Sequence, residues 1–473
     1  MVKNTGRSGL GEDSKESSGK KTKKSISKEC KISNAIKALS EQILKRSVDP
    51  SHGRWVDLDS ERPSPRAHST LTLIEGPLCV MFGGEFFDGC KVNLYNDTFL
   101  YNLSTNKWKV LDTPSVPLPR CSHQATYYNN RIYIFGGEYN TLDEFHHFND
   151  ISYLCLSTLR WNKLDVPCQL PTPRSGHRMV LWKHYWVLFG GFHDNGKEST
   201  YYNDLYYFDL DNNRWHQVNQ KLFTASLPEP RAGCVLLSLN DGKHLMMHGG
   251  FSKKDSSNDV VGLSYKDSWL IDMNLLLSNN GNVLVWSKVK GCEPEFSTGL
   301  SYATSSEYAV LFGGVNDEYK GLHVKSTFSN KCFKLNLNQR KYNPTEIVFD
   351  QENKEDNLGF SQLSLSRSHP TPRMNSNGVV YNDTFYIFGG IVEVKDVEIT
   401  ESDCWALDLK RNEWKCIDEG YENEQLYNNQ IESDESDEEI EEEMDEDSGE
   451  ETEEMYGSDE GDSYEDTEDD LED

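Results

Sequence analysis

An all-β, six-bladed propeller is the fold this sequence predicts, and three recurrences predict it. A Gly-Gly doublet closes a short apolar run six times, at Gly83-Gly84, Gly136-Gly137, Gly190-Gly191, Gly249-Gly250, Gly313-Gly314 and Gly389-Gly390. An Asn-Asp or Lys-Asp pair then opens a further apolar run, as at Asn96-Asp97, Asn149-Asp150, Asn203-Asp204 and Lys266-Asp267, and a tryptophan follows at Trp108, Trp161, Trp215, Trp286 and Trp414. A Pro-Arg pair opens most repeats, at Arg66, Arg120, Arg174, Arg231 and Arg373.

Each element has a physical reason. Runs such as Ile132-Tyr133-Ile134-Phe135 and Val187-Leu188-Phe189 have the composition of buried strands, closed by residues that break a strand. Glycine there tolerates positive φ and close approach of neighbouring chain, as a blade narrowing toward an axis requires. Tryptophan suits the gap between blades, where a large ring can bury on the order of 150–250 Å². Successive second glycines lie 53 to 76 residues apart, and a period of roughly 50 residues stretched by loops is that of kelch propellers. Four short strands per repeat make one blade, and one blade cannot bury both its faces alone, so the six must close a ring.

The predicted organisation is a basic disordered arm over 1–29, an amphipathic helix over 30–49, the propeller over 54–418 and an acidic disordered tail over 419–473. The helix rests on the apolar stripe Ile32, Ile36, Leu39, Ile43 and Leu44, which either docks on the propeller or offers itself to a partner's groove. The net charge of −30 belongs to the tail: from Glu432 to Asp473 there are 26 acidic residues and no Lys or Arg. Such a block self-repels and has almost nothing to bury. Ser436, Ser448, Ser463 and Thr467 each have an acidic residue three positions downstream and are candidate phosphosites for acid-directed kinases. With no apolar N-terminal segment and no run long enough to span a bilayer, a cytoplasmic setting extending to the nucleus is expected, with no membrane contact. The 11 cysteines stand singly and mark neither zinc nor a disulfide framework.

Two closure schemes compete. Trp55 leads into Pro65-Arg66 as Trp108 leads into Pro119-Arg120, yet Trp414 follows the last third strand at the same spacing. Trp414 is expected to hold the fourth position of blade six, with the Trp55 segment on that blade's outer edge or nearby. Blade five is expected to be the least regular, lacking a Pro-Arg opener, carrying Tyr342 in place of Trp and preceding the polar run Gln351 to Asn357.

The stretch Pro173-Arg174-Ser175-Gly176-His177-Arg178-Met179-Val180-Leu181-Trp182-Lys183, continued by Leu188-Phe189-Gly190-Gly191-Phe192-His193 and Tyr201-Tyr202-Asn203-Asp204, resembles the kelch domain-containing protein 4 subfamily and its fungal relatives. Arg62-Pro63-Ser64-Pro65-Arg66, Phe82-Gly83-Gly84-Glu85-Phe86-Phe87 and Phe135-Gly136-Gly137-Glu138 are similar as well, after a similar Lys-rich arm. The resemblance covers roughly residues 62–290 and departs at the acidic tail. It implies a propeller in an intracellular setting and brings no catalytic residues.

Chain direction puts the loop after each doublet and the Pro-Arg openers on one side of the disc. That side collects the candidate partner-binding residues Phe86, Phe87, Arg120, Tyr139, Phe145, His146, Arg174, Phe192, His193, Tyr201, Tyr202 and Arg231. Aromatics and arginine are enriched at interaction hot spots, and function gathers on loops held by a rigid scaffold. The arginines can equally tie neighbouring blades, with Glu85 and Glu138 as natural partners, and His68, His123 and His177 read as hydrogen-bonded core histidines. Adjacent His146 and His147 point to different sides, which argues against a metal site. Copper radical oxidases on related propellers need a Tyr-Cys pair and two His ligands that no spacing here singles out, and no phosphate loop or nucleophile elbow stands out. The expected function is therefore a non-catalytic protein-interaction scaffold without cofactor, metal or direct nucleic-acid binding. The alternative is a chaperone or assembly factor for basic proteins acting through the acidic tail.

Overall fold

The computed structural model describes residues 52–58, 62–88, 91–141, 145–220, 227–256, 259–278, 285–289, 298–320, 323–349, 368–394 and 397–421. The expected arm, helix and phosphosites, and all the tail beyond Tyr421, lie outside the described residues. Blade one is built from Thr70–Leu73, Leu78–Phe82, Thr98–Asn102 and Lys107–Asp112, and blade two from Gln124–Tyr128, Arg131–Phe135, Ile151–Cys155 and Arg160–Lys163. Blade three follows with Arg178–Trp182, Tyr185–Phe189, Leu205–Asp209 and Arg214–Gln217, and blade four with Val235–Ser238, His244–His248, Ser268–Asp272 and Trp286–Val289. Blade five uses Ser301–Thr304, Tyr308–Phe312, Cys332–Asn336 and Thr345–Ile347, and blade six Asn377–Tyr381, Thr384–Val394, Val397–Asp408 and Glu413–Asp418. Within each blade the strands are antiparallel neighbours in chain order.

The core lies between blades, in six apolar clusters, each drawing side chains from two neighbouring blades. In five of the six blades the phenylalanine before the doublet meets the tryptophan of the next blade's fourth strand. Ring centroids are 4.8 Å apart for Phe82–Trp161 and 4.9 Å for both Phe135–Trp215 and Phe189–Trp286, with Phe312–Trp414 at 5.3 Å. Phe388 of blade six meets Trp108 of blade one at 5.2 Å, so the ring closes by the contact that joins the other blades.

Blade six is complete without the N-terminus, with Trp414 opposite Leu407 on its fourth strand. The Trp55 segment is not on blade six. Arg54–Asp57 pairs with Asp112 to Lys109 as a fifth, outermost strand of blade one, and Trp55 packs toward the cluster between blades one and two.

Blade five has four strands, the outermost only three residues long, while the run 351–357 lies outside the described residues. Its departures come in matched pairs. His248 stands where other blades have phenylalanine and stacks on Tyr342, centroids 3.7 Å apart and planes within 11°. Ser297 replaces the opener arginine and Lys331 replaces the aspartate that the arginine would hold. A buried carboxylate stripped of its cation would be strongly destabilising, and here both members are absent together.

Candidate functional site

The doublets bend the chain rather than end its pairing. Beyond five of them a short hairpin rises: Glu85–Phe87 with Val92–Leu94, Glu138–Asn140 with Phe145–His147, Phe192–Asp194 with Ser199–Tyr201, Phe251–Ser256 with Asp259–Ser264, and Val315–Lys320 with His323–Phe328. In blade six the strand runs through Gly389-Gly390 with a register shift and forms the sixth hairpin directly. What the sequence offers as variable loops is a crown of six hairpins on one face of the disc. The bend needs glycine. At Gly136, with φ +67°, a Cβ would sit 2.6 Å from the His177 ring and 2.9 Å from the Arg174 carbonyl oxygen, and at Gly137, with φ +90°, 2.5 Å from the Cys121 carbonyl oxygen.

Beneath the crown, each opener arginine is clamped. Nη1 of Arg174 donates to the Gly190 carbonyl at 2.9 Å and to Asp204 Oδ1 at 2.5 Å, and Nη2 to Asp204 Oδ2 at 2.8 Å. Arg120 does the same with Gly136 and Asp150, Arg231 with Gly249 and Asp267, and Arg373 with Gly389 and Asp403. An aromatic ring lies under the guanidinium in four blades: Tyr95 under Arg66 at 4.2 Å, Phe148 under Arg120 at 4.0 Å, Tyr202 under Arg174 at 4.3 Å and Tyr265 under Arg231 at 3.9 Å. The arginine's backbone carbonyl accepts from the second glycine N–H of the preceding blade, as in Gly84 to Arg120 and Gly137 to Arg174, both 2.9 Å. The opener thus ties two blades. The carboxylates that hold these arginines are the aspartates of the Asn-Asp and Lys-Asp pairs and, in blade six, Asp403 after Ser402, not Glu85 and Glu138. Arg120, Arg174 and Arg231 are wholly buried, with Tyr202 packed beside Arg174, so these four candidates form the frame under the crown.

The remaining candidates sit on the hairpins. Phe87 and Phe145 are exposed, and Phe86 is half-buried. Phe192 faces Tyr201 across its hairpin with rings stacked at 5.5 Å, and Tyr201 meets Phe251 of the next hairpin edge-on at 6.3 Å. The Phe145 ring reaches across to the turn of hairpin three, where a Cβ on Gly196 would lie 3.2 Å from it. Tyr139 pairs with His146, whose ring meets Phe148 edge-on at 4.7 Å. His147 points the other way, buried, with Nε2 accepting from the Asp194 N–H at 2.9 Å, while His193 lies 4.7 Å from it with Nδ1 against the Pro173 carbonyl at 3.1 Å. The structure brings hairpins two, three and four into one aromatic surface and leaves Phe86 and Phe87 on hairpin one.

At the axis the six blades present aligned positions. Two residues after each arginine, His68, Ser122, Gly176, Gly233 and Asn375, with Gly299 at the matching place in blade five, all have φ between 54° and 66°. Backbone hydrogen bonds link this ring from Ser122 to His68, Gly176 to Ser122, Gly233 to Gly176 and Asn375 to Gly299, at 2.8 to 3.2 Å. His68 therefore belongs to the axial ring, one position before the buried His123 and His177, and it is not a core histidine. His123 Nε2 bonds Thr70 Oγ1 at 2.9 Å, whereas both His177 ring nitrogens lack a partner among the described residues. Burial pushes the His123 pKa down to about 3 and holds His177 well below the ordinary range, so both are neutral packing groups.

Above that ring stand the residues after each doublet: Glu85, Glu138, Phe192, Phe251, Val315 and Ile391, each bridged to an opener segment. Four of them, Glu85, Glu138, Phe192 and Phe251, line an axial pocket of about 280 Å³. Glu85 lies 3.8 Å from His68, and Glu138 lies 3.7 Å from His147 and accepts from Asn140 Nδ2 at 3.2 Å. Burial, then the Glu85 and Asp194 charges, push the Glu138 carboxyl up to about 8. Sequence reasoning missed this pocket. The aligned column of residues that follow the doublets was the signal that could have found it.

Residues 67–276 match the model of the KLHDC2/KLHL20/DRC7 Kelch-repeats domain. The chain carries a kelch-repeat propeller. Among curated relatives of this kelch chain, Acyl-CoA-binding domain-containing protein 5 of Arabidopsis thaliana is 28% identical over 229 residues, covering 46% of this chain and 31% of the relative. Host cell factor homolog hcf-1 of Caenorhabditis elegans is 25% identical over 322 residues, 66% of this chain and 36% of its own length. Host cell factor of Drosophila melanogaster is 24% identical over 337 residues, 67% of this chain and 20% of its own. The chain spans a fifth to about a third of the length of these relatives, and none of them is a kelch domain-containing protein 4. The solved structure of YjhT matches with a TM-score of 0.52 and 16% identity, over 75% of this chain and 98% of that one, which shows the shared fold.

Proposed function

We propose that this kelch propeller is a non-catalytic protein-interaction scaffold that binds its partner through the crown face. The observation that carries the reading is the aromatic surface of hairpins two to four with Phe145 exposed, beside the exposed Phe87 of hairpin one, on a rigid frame of buried arginine clamps. Rigid aromatics on a preorganised scaffold are what hot spots are made of. The contacting set is Phe86, Phe87, Tyr139, Phe145, His146, Phe192, His193 and Tyr201, above Arg120, Arg174, Arg231 and Tyr202. Partner proteins recovered quantitatively from cells test it: Phe87→Ser with Phe145→Ser should lower recovery of specific partners at least ten-fold while thermal unfolding stays unchanged. Unchanged recovery overturns the reading.

The second reading rests on the 26 carboxylates of 432–473, which suit capture of a basic protein. Phosphates on Ser436, Ser448, Ser463 and Thr467 would add roughly −6 to −8 of charge there. Truncation after Gln430 separates the two: loss of partner with a steep salt dependence favours the tail, and retention favours the crown. The finer likeness to kelch domain-containing protein 4 belongs to this proposal, resting on the motifs between Arg62 and Asp204.

A further inference from the structure

The axial pocket is chemically lopsided. Blades one and two contribute Glu85, Glu138 and His68, while blades three and four contribute the rings of Phe192 and Phe251. Among the described residues no Lys or Arg lies within ion-pair distance of either glutamate; their neighbours of that kind are His68 and His147. Arg178 also lines the pocket, with its Nε donating to the Cys234 carbonyl at 2.7 Å, so two carboxyl groups face one guanidinium. Backbone hydrogen bonds link Ser122 to His68, Gly176 to Ser122, Gly233 to Gly176 and Asn375 to Gly299 in the pocket wall, while Glu85, Glu138, Phe192 and Phe251 belong to the bases of the crown hairpins, the side from which a partner's side chain would enter.

We propose, resting on the crown-face reading, that this pocket receives one basic side chain of the bound protein, a lysine or an arginine. Its charge sits against Glu85 and Glu138 and its aliphatic stem against Phe192 and Phe251. Carboxylates reward the cation, and the aromatic faces reward both cation and stem.

The pocket's own titration gives the proposal a signature. Facing Glu138 are Glu85, Asp194 and His147, with His68, His123 and Arg178 around the same pocket. Burial holds His68 below its ordinary pKa, so it does not neutralise Glu85 at neutral pH. A cation placed against Glu138 favours its ionised form, so binding expels the proton this carboxyl keeps up to about pH 8. Affinity must then rise with pH through that value and level off above it. Were ionised Glu138 essential, its occupancy would change by about 30-fold between pH 6.5 and pH 9.

The test uses the full chain with 13C-methyl methionine, reading the Met374 methyl in the pocket wall during titration with N-acetyl-arginine methylamide or its uncharged citrulline analogue. The expected result is a saturable shift with the arginine compound, at least ten-fold weaker with citrulline, and tightening toward 30-fold from pH 6.5 to pH 9. Glu85→Gln with Glu138→Gln should abolish it, and Phe251→Ala, which leaves the carboxylates, should weaken it. No arginine-dependent shift at pH 9, an equal response to citrulline, or a flat pH profile overturns the proposal. Partner recovery separates the two readings. Retention by the double glutamine variant with loss on Phe87→Ser and Phe145→Ser overturns the pocket and leaves the crown standing, whereas retention by both sets overturns the crown as well.

Discussion

Replacing Arg373 by alanine should be among the most damaging single changes in the propeller, and the geometry gives the size. Its guanidinium makes paired bonds to Asp403, Nη1 to Oδ1 at 2.5 Å and Nη2 to Oδ2 at 2.8 Å, and donates to Gly389 and to both oxygens of Thr371. Both charges are buried, with side chains 0% and 4% exposed. Removing the cation leaves Asp403 desolvated, with Trp405 Nε1 as its remaining side-chain donor among the described residues, a loss of about 3–5 kcal/mol for a broken buried pair. The carbonyls of Gly389 and Thr371 lose about 1 kcal/mol each, so roughly 5–7 kcal/mol is expected in all. Arg66 is the internal control: it is equally buried, but its Asp97 is 3.7 Å away and 47% exposed, so Arg66→Ala strands no charge and should cost about 1–3 kcal/mol. Urea unfolding followed by tryptophan fluorescence measures both. Arg373→Met combined with Asp403→Leu should recover much of the loss, because the desolvation penalty goes with the charges. A loss below about 2 kcal/mol for Arg373→Ala, or equal losses at the two sites, would refute the argument that burial of the carboxylate sets the cost.

Two further outcomes follow. Glu138→Gln should flatten the alkaline side of the stability profile. The acid's folded pKa of about 8 lies above its ordinary 4.5, so wild-type stability falls as pH rises between those values, by about 1.4 kcal/mol per unit. The variant should gain roughly 3–5 kcal/mol on wild type between pH 4.5 and pH 8.5, and parallel denaturation midpoints at the two pH values would contradict it. Trp108→Ala should cost about 3–5 kcal/mol, matching Trp161→Ala within about 1 kcal/mol, because both fill the same kind of gap; a far smaller loss at Trp108, by the same assay, would mean the ring does not close through Phe388.

Most of the frame was legible because it answers to backbone geometry. Gly136 and Gly137 are dictated by contacts that tolerate no Cβ, and the tryptophans by gaps of fixed size, so both recur with a period a reader can find. The partner of each arginine was open to misreading: Glu85 and Glu138 follow the doublet directly, yet their side chains face the axis, and Asp97, Asp150 and Asp204, about 30 residues from the arginine, complete the clamp. His68 was misplaced by one position, enough to move it from the core to the axial ring. The hairpins of the crown were not legible as strands, because His146, His193 and the residues around them carry no repeated pattern. Trp55 copied the neighbourhood of a fourth strand closely enough to hide that it adds a fifth to blade one.

The seam where blade six meets blade one has a consequence for how the gene could be rearranged. Gly390 N–H meets the Arg66 carbonyl at 3.4 Å and Arg66 N–H the Glu401 carbonyl at 3.3 Å, while Arg62 pairs with Asp418 at 2.9 Å and the Tyr421 hydroxyl donates to the Arg62 carbonyl at 3.2 Å. The first two contacts repeat the lock that Arg120, Arg174, Arg231 and Arg373 make with the blades before them, and no strand of blade six is borrowed from the start of the chain. The ring therefore has no intrinsic first blade. A circularly permuted chain, joined from Tyr421 to Arg62 and opened at a turn such as Asn129-Asn130, would encode the same six interfaces, and the order in which the ribosome delivers the blades becomes a property of the gene rather than of the fold.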